Sequence, residues 1–82
     1  MKLFLLENNH KVEWDTYHEA VVAAEDEETA RHIHPNGKFM TEPYPEHVWQ
    51  DWDEPDNIDV TYIGEAVEGT YRSVILANFV RG

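Results

Sequence analysis

The sequence predicts an α+β protein: a small, mainly antiparallel sheet of three or four strands with one short helix on one face. Apolar runs at residues 3–6 and 74–77 are typical of buried strands, and residues 25–34 carry the charge order of a helix. The predicted order along the chain is β-β-α-loop-β-β. With 82 residues, 41% of them hydrophobic, and no cysteine, we expect one domain over residues 1–82, with a small core and no disulfide.

The first two strands are predicted at residues 2–6 and 17–24. A turn signal, Glu7-Asn8-Asn9, closes the first apolar run. The second run ends in continuously apolar, partly β-branched residues, which favours a buried strand. Residues 11–16 between them have weak strand character, and they either extend a hairpin or form a loop.

A short helix is predicted at residues 25–34, because its acids gather at the start and its basic residues lie near the end. Glu25-Asp26-Glu27-Glu28 precede Arg31 and His32, which is the order that the helix macrodipole favours. Pro35 ends the segment. Ala30 and Ile33 are expected to face the core.

Residues 35–57 show no periodicity and contain all four prolines, at positions 35, 43, 45 and 55. They predict a long loop with one helical turn near residues 46–49. Tyr44, Trp49 and Trp52 are interleaved with acids in this loop. Loops of this length in compact domains usually carry a function or cover a core.

The last two strands are predicted from residues 58–66, which alternate, and from residues 71–80, whose apolar centre indicates a central strand. The alternation places Ile58, Val60, Tyr62 and Gly64 on one side. Since residues 3–6 and 74–77 are apolar on both faces and one short helix covers one face, something else must cover the other. The candidates are the tryptophan-bearing loop and a second copy of the protein.

The net charge of −11, from 17 acidic and six basic residues, limits the classes of partner that the protein can bind. Carboxylates at this density repel nucleic-acid phosphates and anionic membranes, so direct binding to DNA, RNA or a membrane is not expected. No apolar run approaches the roughly 20 residues of a membrane span, and the first residues do not resemble a signal peptide. We therefore expect a soluble cytoplasmic protein, whose acidity either serves solubility or attracts a basic partner.

The acids concentrate between Phe39 and Tyr71, a stretch with nine acidic residues and no lysine or arginine. This acidic segment predicts a docking surface for a basic protein, including a site that binds nucleic acid, whose phosphates the acids would mimic. The alternative is a solvated acidic loop. Tryptophans anchor many interfaces, although either indole could instead cover the sheet. The predicted contact residues are Glu42, Tyr44, Glu46, Trp49, Asp51, Trp52, Asp53, Glu54, Asp56 and Asp59.

No catalytic, cofactor or metal motif is found, and we expect a non-enzymatic protein with none of these groups. Ser73 is the only serine and lacks the context of a nucleophile elbow, and the four glycines form no phosphate-binding loop. His32 and His34 could supply two metal ligands only if the helix ends before His34, since positions i and i+2 of a helix face apart. A histidine near the negative end of a helix is more often a cap.

The succession of Ala23-Ala24, Glu25-Asp26-Glu27-Glu28-Thr29-Ala30-Arg31, Tyr62-Ile63-Gly64-Glu65-Ala66 and Val74-Ile75-Leu76-Ala77-Asn78-Phe79 resembles small acidic proteins that phages and prophages encode. The resemblance extends over most of the chain, but its motifs are structural. It implies an accessory or anti-defence role in the cytoplasm of a host cell, because such proteins often act by blocking host proteins.

The sequence thus favours a protein-binding module that acts as an inhibitor or modulator on a basic surface of a host protein. The alternative is a structural or accessory protein that works as a homodimer or larger homo-oligomer through an uncovered sheet face.

Overall fold

The computed structural model describes residues 1–9, 15–41 and 51–80. These residues form a four-stranded antiparallel sheet with one short helix, so the α+β class is confirmed. The strands are β1 (Lys2–Glu7), β2 (Thr16–Ala24), β3 (Asp59–Glu65) and β4 (Ser73–Val80), and they lie in the order β3-β1-β2-β4. The prediction of a central strand around residues 74–77 is wrong, because β4 lies at an edge.

The two central strands, β1 and β2, pair with each other as an antiparallel hairpin. Leu3 faces Ala23 and Leu5 faces Val21, so the most apolar parts of the two strands meet in the middle of the sheet. Of the ambiguous residues 11–16, the structure describes two: Thr16 begins β2, and the preceding Asp15 has a positive φ of 60°. Residues 10–14 lie outside the described part of the chain.

The α-helix found in the described part of the chain, α1 (Glu27–Arg31), is shorter than the segment 25–34 predicted from charge order. Asp26 is its N-cap, since its side-chain oxygen accepts a hydrogen bond of 2.7 Å from the backbone N–H of Thr29. After the helix the chain reverses: Ile33 forms an isolated bridge with Phe39, and the N–H of His34 donates to the carbonyl of Lys38. The carbonyl of His32 accepts from the N–H of Met40 in the same reversal, so these backbone groups are not available to continue the helix, which ends early.

One face of the sheet, here the helix-side face, carries the core. Phe4, Leu6, Ala20 and Val22 of β1 and β2 pack in one cluster with Ala30, Ile33, Trp52 and Ile58. Trp52 is only 1% exposed, so it extends the cover that the five-residue helix begins. A 3-10 helix at Pro55–Asn57 follows it, whereas the helical turn predicted near residues 46–49 lies outside the described residues.

Both edge strands contain register shifts that change which face a side chain occupies. Between β1 and β3, Leu3 faces Gly64 but Phe4 faces Tyr62, so Ile63 is an extra residue. The predicted alternation therefore stops at Tyr62, and Gly64 moves to the opposite face from Tyr62. A similar shift in β4 leaves Ile75 as the extra residue between Val74 and Leu76.

Candidate protein-docking surfaces

The face of the sheet opposite α1 and Trp52, here the open face, is built from rows of residues that lie directly opposite one another on neighbouring strands. Such residues point to the same side of a sheet, with Cβ atoms about 5 Å apart. Read from β3 to β4, the first row is Asp59, Glu7, Glu19 and Asn78, and the second is Thr61, Leu5, Val21 and Leu76. The third row is Gly64, Leu3, Ala23 and Ser73. It is more enclosed than the other two, since Ala23 is fully buried.

The second row forms an apolar strip across the sheet. Leu5 and Val21 are half-buried, while Leu76 on the edge strand is 68% exposed. A groove of about 240 Å³ runs between this row and the first, lined by Leu5, Glu19, Ala20, Val21, Leu76 and Asn78. Within the described residues, both α1 and Trp52 pack on the helix-side face and leave this strip to other contacts.

The first row, here the acidic row, places three carboxylates side by side on β3, β1 and β2. Two neutral amide side chains donate hydrogen bonds to carboxylates of this row. Asn9 Nδ2 donates to Asp59 at 2.7 Å, and Asn78 Nδ2 donates to Glu19 at 3.3 Å. Arg31 forms ion pairs with Glu27 and Glu28, and these pairs lie outside the row, as do the contacts of His32 with Glu28 and of His34 with Asp51. Like charges directly opposite one another destabilise a sheet.

Of the acids predicted for docking, two serve local structure in the described part of the chain. Asp51 accepts a hydrogen bond of 3.0 Å from Nε2 of His34. Asp53 accepts from the N–H of Glu54 at 2.7 Å and from Nδ2 of Asn57 at 3.2 Å. The carboxylates of Glu54 and Asp56 belong to exposed residues and remain candidates for contact, together with Asp59 in the acidic row.

Four of the predicted contact residues, Glu42, Tyr44, Glu46 and Trp49, lie outside the described residues. Trp52 lies within the described residues, but its indole is not exposed. It is buried in the core, with its ring centroid 6.4 Å from that of His34. Trp52 thus covers the sheet, as the sequence allowed for one of the two indoles, but it covers the helix-side face.

The buried histidine His34 holds the chain around Asp51 against the end of the helical segment. Its Nδ1 accepts a hydrogen bond of 3.0 Å from the N–H of Asn36, which assigns the ring proton to Nε2 and makes Nε2 the donor to Asp51. His32 instead contacts Glu28, so the two histidines have separate partners. Among residues 1–9, 15–41 and 51–80, no group of three or more His, Asp or Glu side chains could hold a metal ion.

A second concavity, of about 430 Å³, lies on the helix-side face and is lined by Lys2, Phe4, Asp26, Glu27 and Tyr62. The hydrogen bonds from Thr29 lower the pKa of Asp26. The hydrogen bond of 2.6 Å that the Tyr62 hydroxyl donates to Glu65 raises the pKa of Tyr62. Both polar groups are therefore already engaged in local structure.

The acidic row was not predicted from the sequence, and the apolar strip was predicted only as two apolar runs, at residues 3–6 and 74–77. Glu7 and Glu19 are 12 positions apart, and they become neighbours only through the hairpin register. The signal available in the sequence was a glutamate at the end of the first strand and another near the start of the second. The partner of Leu76, however, depends on the register shift beside Ile75, which the sequence does not display.

No helix in the described part of the chain is long and apolar enough to cross a membrane. Comparisons with protein-family models, with curated proteins and with solved structures found no match.

Proposed function

We propose that this chain is a non-enzymatic protein-binding module that docks on a basic surface of another protein. The observation that carries the proposal is the acidic row of Asp59, Glu7 and Glu19, which aligns three carboxylates without a cationic partner among the described residues. An arrangement that costs folding stability is typical of a functional surface. A basic partner would neutralise the row and speed association through long-range attraction.

The resemblance to small phage and prophage proteins supports a finer form of the proposal, in which the chain inhibits or modulates a host protein in the host cytoplasm. The basic surface would then be one that normally binds nucleic acid. In that form, a DNA or RNA fragment and this protein compete for one site on the partner. Simultaneous binding of both would contradict mimicry while leaving protein docking intact.

The test uses two folded variants in which acids are replaced by their amides. The row variant is Glu7→Gln with Glu19→Gln, and the loop variant is Glu54→Gln with Asp56→Asn. Immobilised wild-type protein should retain a basic protein from a lysate of the source organism at low salt and release it at high salt. At least one variant should lose that protein. If both variants retain the same proteins as wild type at every salt concentration, the proposal is wrong.

A second candidate function is a homo-oligomeric structural or accessory protein. The exposed Leu76 and Ile75 on the edge strand β4 favour it, because strand edges and bare apolar surface both promote self-association. Light scattering during size-exclusion chromatography separates the candidates. A stable oligomer at low micromolar concentration that Leu76→Ser dissociates would favour this one.

A further inference from the structure

We propose that the open face binds a cationic amphipathic helix of the partner, with the apolar stripe of that helix on the apolar strip and its lysines or arginines over the acidic row. This inference rests on the proposed function and names the chemistry of the partner. The sheet already uses a helix to cover its other face, where Ala30 of α1 packs among β1 and β2 side chains. A partner helix would complete the same kind of layer on the second face.

The apolar stripe of the partner helix would contact Leu5, Val21 and Leu76, which lie on three neighbouring strands and line one groove. The groove is about 240 Å³, which accommodates one or two aliphatic side chains. Leu76 is the most exposed of the three at 68%, so it gains the most from being covered. A helix meets such a strip with residues spaced three and four apart.

The lysines or arginines of the partner helix would contact the acidic row, which runs beside the apolar strip. The two rows are two residues apart along the strands, or about 7 Å, so one helix about 10 Å across reaches both. Glu19 belongs to the row and also lines the groove. A side chain that fills the groove is therefore next to a carboxylate, which favours a partner with basic residues flanking its apolar stripe.

The same charges argue against a second copy of this chain as the occupant of the open face. The first two rows contain no lysine or arginine, and the whole chain carries a net charge of −11. A copy docked face to face would bring one acidic row toward another without a cation to separate them. Repulsion of this kind opposes association most strongly at low salt.

The probe for the test is a synthetic peptide of about 16 residues, long enough to cross the sheet as a helix. It has leucines on one helical face and lysines on both flanks. One control peptide has the same composition with the leucines scattered, and a second has every lysine replaced by glutamate. Affinity is measured by titration calorimetry, and contact is mapped by backbone and methyl NMR shifts.

We expect the amphipathic lysine peptide to bind at least tenfold more tightly than either control peptide, with shift changes concentrated at Leu5, Val21 and Leu76. Leu76→Ser should weaken binding about tenfold, since it removes the most exposed part of the strip. Val67→Ser is the matched control, because Val67 is 81% exposed and lies outside the strip, in the turn between β3 and β4. It should bind like wild type.

The charge variants separate this inference from the proposed function. The row variant should bind the lysine peptide about three- to tenfold more weakly and lose much of the salt dependence, whereas the loop variant should bind like wild type. Equal binding of the scattered and amphipathic lysine peptides, together with a loss only in the loop variant, would overturn the inference but leave docking on a basic surface in place.

Two other results would also overturn the inference. The first is a stable homo-oligomer of the wild-type chain that Leu76→Ser dissociates, since the open face would then be occupied by a second copy. The second is shift changes confined to residues outside the first two rows. Failure of the proposed function is a different result, in which neither charge variant loses the partner retained from lysate.

Discussion

At the scale of single residues, three side chains bear most directly on the stability of the fold. Asp26 caps the only α-helix of the described chain, and Trp52 fills the space that so short a helix leaves open. Glu19 faces Glu7 and belongs to the acidic row. Asp26 stabilises the helix and Trp52 the core on the helix-side face, whereas Glu19 faces a like charge on the open face, where we propose that it serves binding.

Removing the helix cap should destabilise the protein in a pH-dependent manner. The backbone and side-chain hydrogen bonds from Thr29 hold the pKa of Asp26 below its usual value of 3.8. A pKa that is lower in the folded state contributes stability above the unfolded value, and that contribution is lost as pH falls through the folded value. Asp26→Ala should therefore lower the Tm by a few degrees at pH 7, and the deficit should shrink below about pH 4.

Asp26→Asn is the matched control for the cap, because asparagine keeps the accepting oxygen and removes the titrating group. It should lie between wild type and the alanine variant at pH 7. Thermal melts between about pH 2 and pH 7 provide the measurement. A deficit of Asp26→Ala that is constant over the whole range would contradict the account of the cap.

Replacing the buried indole should cost most of the stability of the fold. Trp52→Ala removes a side chain that is only 1% exposed, and losses of about 3–5 kcal/mol are typical of such changes. A small domain has on the order of 5 kcal/mol in total, so this variant should be largely unfolded in urea concentrations that wild type tolerates. Trp52→Phe should lose markedly less. An alanine variant as stable as wild type would show that the indole is not part of the core.

At the scale of elements, the strands and the fold class could be predicted from the sequence because apolar runs and turn signals report them locally. The helix was placed correctly, yet its last turn was not, since the reversal after α1 depends on bonds from His34 to Lys38 and from Asn36 to His34. The edge position of β4 was missed because β4 is as apolar as a central strand. Its outer face is exposed, and we propose that this face binds a partner.

The candidate site was predicted less well than the fold, because its residues come from several strands. The sequence pointed to a long acidic loop, in which Asp51 and Asp53 turn out to bond to the protein itself. The acidic row is formed by residues of three strands. Such a row depends on the register of β1 with β2 and with β3, which no local residue pattern displays.

The register shift between β1 and β3 yields a prediction about Gly64. This glycine has a φ of 151°, and a Cβ atom added there would meet nothing within 4 Å. Gly64→Ala should therefore destabilise the protein through backbone strain and not through a clash, by about 1–2 kcal/mol in urea unfolding. Thr61→Ala, an exposed position on the same strand, should change stability by less than about 0.5 kcal/mol. Equal effects of the two changes would contradict the assignment of strain.

At the scale of the whole molecule, the charge of −11 should make stability depend on salt. Added salt screens repulsion among exposed carboxylates, with a Debye length of about 10 Å at 0.1 M. We expect the Tm to rise between low and physiological ionic strength, and to rise less for the row variant, whose central repulsion is already removed. A Tm that falls with salt would indicate that attractive ion pairs dominate instead.

If the acidic row serves binding at a cost to folding, removing it should stabilise the free protein and weaken binding, and both quantities can be measured on the same variants. For wild type, the row variant and the loop variant, the free energy of unfolding in urea is measured together with the affinity for the amphipathic lysine peptide. We expect Glu7→Gln with Glu19→Gln to stabilise the free protein by about 0.5 kcal/mol while weakening peptide binding about three- to tenfold. A row variant that binds the peptide as tightly as wild type, or that is less stable than wild type, would contradict it.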